Sequence, residues 1–268
     1  MIATANNLME VNMSIARYFA GLVCAIAAFA VFATPVFAQE NQKRERILLV
    51  VSSLDKKTPD QVGGFWFPEL THPVEVFDKA GLDYDIASPK GGLAPFDGFD
   101  LNDKATLAFW TRPEHRNKLG NTLKLSDVDP SEYAAVLLVG GHGPMWDFVR
   151  NPELDGIVRT IYENKGIVSA VCHGPAGLID VKLSNGERLI KGRRLTGFTA
   201  EEEASRNYDK IVPFELESAL KAAGATFEEA PVFENRVVVD GRLVTGQNPA
   251  SATTLGEAVV KLLQARAQ

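Results

Sequence analysis

The chain has 268 residues, 46% of them apolar and 23% charged, and a net charge of −6, a size and composition that suit one α/β domain with a sizeable core. The acidic balance, with no basic cluster beyond Lys43-Arg44-Glu45-Arg46, argues against a nucleic-acid partner. No cofactor is expected, because GxGxxG does not follow the first strand and GKS or GKT is absent. No metal site is expected either: His72, His115, His142 and His173 show neither HExxH nor paired Cys/His spacing.

Tyr18 to Ala38 carries no charge and follows a segment whose only basic residue is Arg17, the outline of an export signal. Cleavage is expected after Ala38, leaving residues 39–45 as a polar leader and 46–268 as the domain. An uncleaved anchor is the alternative, since the run is long enough to cross a bilayer; the Pro35-Val36-Phe37-Ala38 ending favours cleavage. The expected product is periplasmic or secreted and free of the membrane. Losing Cys24 leaves Cys172 as its single thiol, in a compartment where thiols tend to be paired.

Arg46 to Ser53 reads as a buried first strand. Phe67, Leu70, Val74 and Phe77 recur at helical spacing, with Pro68-Glu69 at the start and Gly81 at the end. Tyr84 to Ala87 is a second strand, followed by a Gly/Pro-rich loop from Lys90 to Gly98. Ala134 to Val139 is a third, running into Gly140-Gly141-His142-Gly143-Pro144. A helix follows over Pro152 to Asn164, and Ile167 to Val171 is the fourth strand. This alternation indicates a mainly parallel sheet covered on both faces. Beyond Cys172 come a short helix, an acidic helix start at Ala200 to Glu203, a hairpin around Asp240-Gly241, and a closing helix from Pro249 to Gln264. His115 falls in a charged helix and is expected to face solvent.

Chemistry concentrates at Ala170-Val171-Cys172-His173-Gly174. Small residues on either side of the central one, between a buried strand and a helix, give the shape of a nucleophile elbow. The helix N-terminus there predicts a lowered thiol pKa. Gly141 is a candidate for aiming a backbone N–H at a developing oxyanion, together with the amide of His173, and His142 for lining the pocket. Glu69, beside apolar Phe65, Trp66 and Phe67, is expected to hold a proton, through burial and the nearby thiolate. His72 either reaches the same pocket or serves the fold.

AVCHGPAGL, GGHGPMWD and TGQNPAS resemble the ThiJ/PfpI superfamily, in its glyoxalase III and chaperone branch, from about Arg46 onward. The resemblance implies a flavodoxin-like three-layer sandwich with Cys172 as nucleophile, His173 as its histidine, Glu69 as the acid beside the thiol and a later carboxylate orienting the imidazole. Counting from Thr196-Gly197-Phe198-Thr199 places that carboxylate at Glu203, with Glu201 and Glu202 one slip away. It implies glutathione-independent conversion of methylglyoxal, a small reactive aldehyde, to lactate through a Cys172 hemithioacetal, with protein deglycation as a related activity. The alternative is a holding chaperone in which an apolar surface matters and the thiol does not. A glutamine amidotransferase ranks low because no His follows His173. A homodimer is compatible with the sequence, which does not set the oligomeric state.

Overall fold

The computed structural model describes residues 45–59 and 61–266; the export signal and all of the leader except Glu45 lie outside them. In chain order the elements are β1 (Arg46–Val50), β2 (Lys56–Thr58), β3 (Gln61–Val62), β4 (Phe65–Trp66), α1 (Phe67–Lys79), β5 (Asp83–Ser88), β6 (Phe96–Asp97), α2 (Lys104–Thr111), α3 (Pro113–Gly120) and β7 (Leu123–Lys124). They continue with β8 (Ala135–Leu138), α4 (Pro144–Asp147), α5 (Pro152–Glu163), β9 (Ile167–Val171), β10 (Arg194–Leu195), α6 (Ala200–Ser205), α7 (Leu216–Ala222), β11 (Thr226–Phe227), β12 (Val237–Asp240), β13 (Leu243–Gly246) and α8 (Ala252–Arg266).

Seven strands form the main sheet in the order β12-β13-β9-β8-β1-β5-β7. All its pairs are parallel except β12 with β13. Every residue of β8 and β9 is buried, as their continuous apolar runs require of strands covered on both faces. Edge strand β12 instead has Val238 buried and Val239 exposed. The crossover from β1 through α1 to β5 leaves in one direction along the sheet, and that from β8 through α5 to β9 in the other. Since such crossovers are right-handed, α1 and α5 cover opposite faces, and α8 packs beside α1. This is the expected three-layer sandwich.

The strand order reverses between β1 and β8, and a crevice opens there at the carboxyl ends of the strands, the usual ligand position in such sheets. The ends of β8 and β9 deliver Gly140-Gly141-His142 and Cys172-His173 to it.

Candidate active site

β9 runs straight into Cys172, whose φ of 58° is left-handed, a conformation that costs a non-glycine residue about 1–2 kcal/mol. Two backbone bonds hold it there: Cys172 N–H donates to Gly246 O at 2.9 Å, and Phe198 N–H donates to Cys172 O at 2.8 Å. The next small residue is needed for close approach, because a Cβ on Gly174 would collide with the Leu138 carbonyl. The chain then makes only a short 3-10 turn, Gly174–Leu178.

The bend brings two consecutive side chains together, which a regular helix would not do. Cys172 Sγ lies 3.2 Å from His173 Nδ1, and His173 Nε2 lies 2.7 Å from Glu203 Oε2. The other oxygen of Glu203 lies 2.9 Å from His142 Nε2. Of the three adjacent acids, Glu201 is exposed. Glu202 turns inward, where its Oε1 accepts from Phe233 N, Gln247 Nε2 and Asn248 Nδ2 and its Oε2 from Thr199 N. The TGQNPAS segment thus fastens the helix that carries Glu203. Burial opposes ionisation of Glu203, but the hydrogen bonds from the two imidazoles outweigh it and hold the carboxyl near pKa 2. Burial, followed by the nearby charge of His173, pushes His142 down to about 4, so it is neutral at physiological pH.

Glu69 stands opposite, in the first turn of α1, with no exposed surface. The Cys172 thiol and the amides of Gly140 and Gly141 face its carboxyl, yet none meets either oxygen with full hydrogen-bond geometry. Burial therefore dominates and raises its pKa to about 8. A Cβ on Gly140 would collide with Glu69 Oε2, so only glycine lets carboxyl and thiol approach.

The expectation of a lowered thiol pKa is corrected. Cys172 is only 4% exposed; burial pushes the thiol up, the charge of Glu69 adds to this, and only the Gly141 amide opposes. The short 3-10 turn provides little dipole. Removing one proton from the pair leaves either a carboxylate beside a thiol or a thiolate beside a carboxylic acid able to donate to sulfur. The proton belongs to the pair.

A cavity of about 190 Å³ opens over these groups, lined by Gly141, His142, Cys172, His173 and Glu69 together with Trp66, Phe198, Tyr208 and Phe233. His72 does not line it: its Nε2 lies 2.9 Å from Asp103 Oδ2, which joins α1 to the cap of α2, so of its two expected roles the one in the fold holds and its candidacy as a pocket residue is corrected. His115 is buried rather than solvent-facing, with Nδ1 2.6 Å from the Tyr84 hydroxyl, because α3 packs that side chain against β5. Ligand atoms of His142, His173 and Glu203 lie within 4.8 Å of one another, a set able to hold a divalent ion that sequence spacing did not reveal. Sequence reasoning also missed Lys57, Phe198, Arg206, Tyr208 and Phe233, which reach the cavity from separate segments.

The DJ-1/PfpI family profile matches residues 64–262. Glyoxalase 3 of Candida albicans is 34% identical over 234 residues, covering 80% of this chain and 97% of that protein. Glutathione-independent glyoxalase HSP31 of Saccharomyces cerevisiae is 35% identical over 207 residues, covering 70% and 84%. Among solved structures, Rapid Encystment Protein 24 kDa (REP24) of Francisella tularensis superposes with a TM-score of 0.78 at 36% identity over 82% of this chain and 99% of that one. The crystal structure of Candida albicans glyoxalase III gives 0.73 at 30% identity over 81% and 97%. The match spans the site from Gly64 through the elbow to the TGQNPAS segment, and the chain belongs to the DJ-1/PfpI family.

Proposed function

We propose that this protein converts methylglyoxal or a related 2-oxoaldehyde to the hydroxyacid, with its own thiol as nucleophile and no need of glutathione. The observation that carries the reading is Cys172 held between His173 and Glu69 at the floor of a cavity; the names of the relatives at 34% and 35% identity point the same way. The Cys172 S–H adds across the aldehyde carbonyl: the C–S bond forms, and His173 relays the thiol proton to the carbonyl oxygen while ionised Glu203 steadies the imidazole. Glu69 then takes the proton from the hemithioacetal carbon, giving an enediolate. It returns the proton at the neighbouring carbon as the hydroxyl proton passes from the first oxygen to the second, which leaves a thioester on Cys172. Water cleaves this to hydroxyacid and free thiol, so the balance is aldehyde plus water, formally a hydro-lyase. Gly141 is the oxyanion donor, with the amide of His173, and His142 completes the pocket wall.

Export with cleavage after Ala38 belongs to the same proposal, supported by the uncharged run of Tyr18 to Ala38, and makes the enzyme periplasmic or secreted. A homodimer is compatible with this reading. A thiol-independent holding activity would draw on exposed Leu93, Phe99, Leu101 and Leu107; retained aggregation suppression in Cys172→Ser protein would mark it. The test of the enzyme reading is steady-state turnover of methylglyoxal by the exported protein without glutathione, beside Cys172→Ala. Lactate formation that Cys172→Ala abolishes supports the reading, and equal turnover by the variant overturns it.

A further inference from the structure

Lys57 lies on β2, in the hairpin with β3, and lines the same cavity as Cys172 and Gly141. Its side chain is only 5% exposed. An ammonium withdrawn from water needs an anion or several acceptors, and what surrounds this one is weak. Asp97 Oδ2 stands 3.8 Å from Nζ, beyond hydrogen-bond reach, and its side chain is half exposed. The Tyr208 ring lies 4.8 Å from Nζ and offers a cation–π contact. Arg206 lines the cavity too, with its guanidinium 4.7 Å from the Phe233 ring centre. The other carboxyls in or behind the cavity do not answer these cations: Glu69, which lines it, is held protonated at neutral pH, and Glu203, behind His142 and His173, is committed to their imidazoles.

We propose that Lys57, with Arg206 at the outer rim, forms an anion subsite beside Cys172, so that the site binds aldehydes carrying a carboxylate next to the reacting carbonyl. This rests on the reading that Cys172 adds to aldehydes. Glyoxylate is the smallest such molecule. Its aldehyde carbon forms a C–S bond to Cys172 as the thiol proton passes to the carbonyl oxygen, while its carboxylate meets the Lys57 ammonium.

The test is calorimetric binding of glyoxylate and of glycolaldehyde, a neutral aldehyde of similar size, to the parent, Lys57→Met and Lys57→Arg proteins. Near-ultraviolet circular dichroism checks that each variant is folded. The parent should bind glyoxylate about tenfold more tightly than glycolaldehyde. Lys57→Met should bring the two within about twofold, and Lys57→Arg should keep most of the preference. A Lys57→Met protein that keeps the full preference, or a parent that shows none, overturns the subsite. Binding does not depend on turnover, so the two readings fail separately: a Lys57-dependent glyoxylate preference in a protein inert to methylglyoxal would retain the subsite and remove the glyoxalase.

Discussion

On one wall of the cavity Glu69 is enclosed without a well-formed hydrogen bond and is held at about 8, whereas behind the histidine wall Glu203 receives two imidazole bonds and is held at about 2. Burial raises both carboxyls, Glu69 being the more completely enclosed, and only Glu203 has the supply of donors that reverses it. The undersupplied carboxyl can take and return a proton near neutral pH, and the well-supplied one stays charged to steady a histidine. Away from the active-site cavity, buried His115 and Tyr84 and partly buried Asp78 form a third cluster, with Tyr84 and Asp78 pushed up and His115 down, chiefly by burial. Perturbed titration with no nucleophile beside it is a feature of the fold, not of the chemistry.

Glu69→Gln strikes the first wall and should have the largest effect. It removes the group that moves the proton, and turnover should fall by about 10² to 10⁴-fold. The parent's rate should climb as pH approaches about 8, where Glu69 ionises, and the variant should lose that rise. Stability moves in the opposite sense. A raised folded pKa means the folded state binds the extra proton, so stability falls as pH rises from the unfolded value toward about 8. Glu69→Gln protein should therefore melt above the parent at pH 8, and a lower melting temperature with full activity would break the comparison.

Glu203→Gln strikes the second wall, leaving shape but removing the charge that supports His173. Turnover should fall by about 10²-fold, the low end for a proton-transfer arrangement; a loss under about threefold would remove Glu203 from the relay. Tyr84→Phe tests the third cluster and should leave turnover unchanged. It strips the hydroxyl from His115 Nδ1 and should cost about 1–3 kcal/mol of stability by urea unfolding. A tenfold loss of turnover with no change in stability would make that cluster part of the chemistry.

The parts legible in the sequence are those whose signal is local. β1, β8 and β9 are apolar runs, and the elbow is five consecutive residues. Glu69 stood out as an acid among aromatics, although its complete burial depends on Gly140 lying across the crevice, which no local pattern reveals. His115 was misread because the composition of α3, PEHRNKLG, is polar while one side chain turns inward to Tyr84, 31 residues away in sequence. Lys57, Tyr208 and Phe233 sit in short or irregular segments that only the fold brings over the thiol. The thiol itself was expected at the mouth of a helix dipole, and a five-residue 3-10 turn stands there instead.

The proposed reaction turns on a proton moved by a carboxyl group, and the product of turnover in D₂O reads that step directly. Methylglyoxal converted through the enediolate should give lactate carrying solvent deuterium at C2, because the proton that Glu69 takes and returns is open to exchange. Lactate that keeps the aldehyde's original hydrogen at C2, as a direct hydride shift would leave it, contradicts the account.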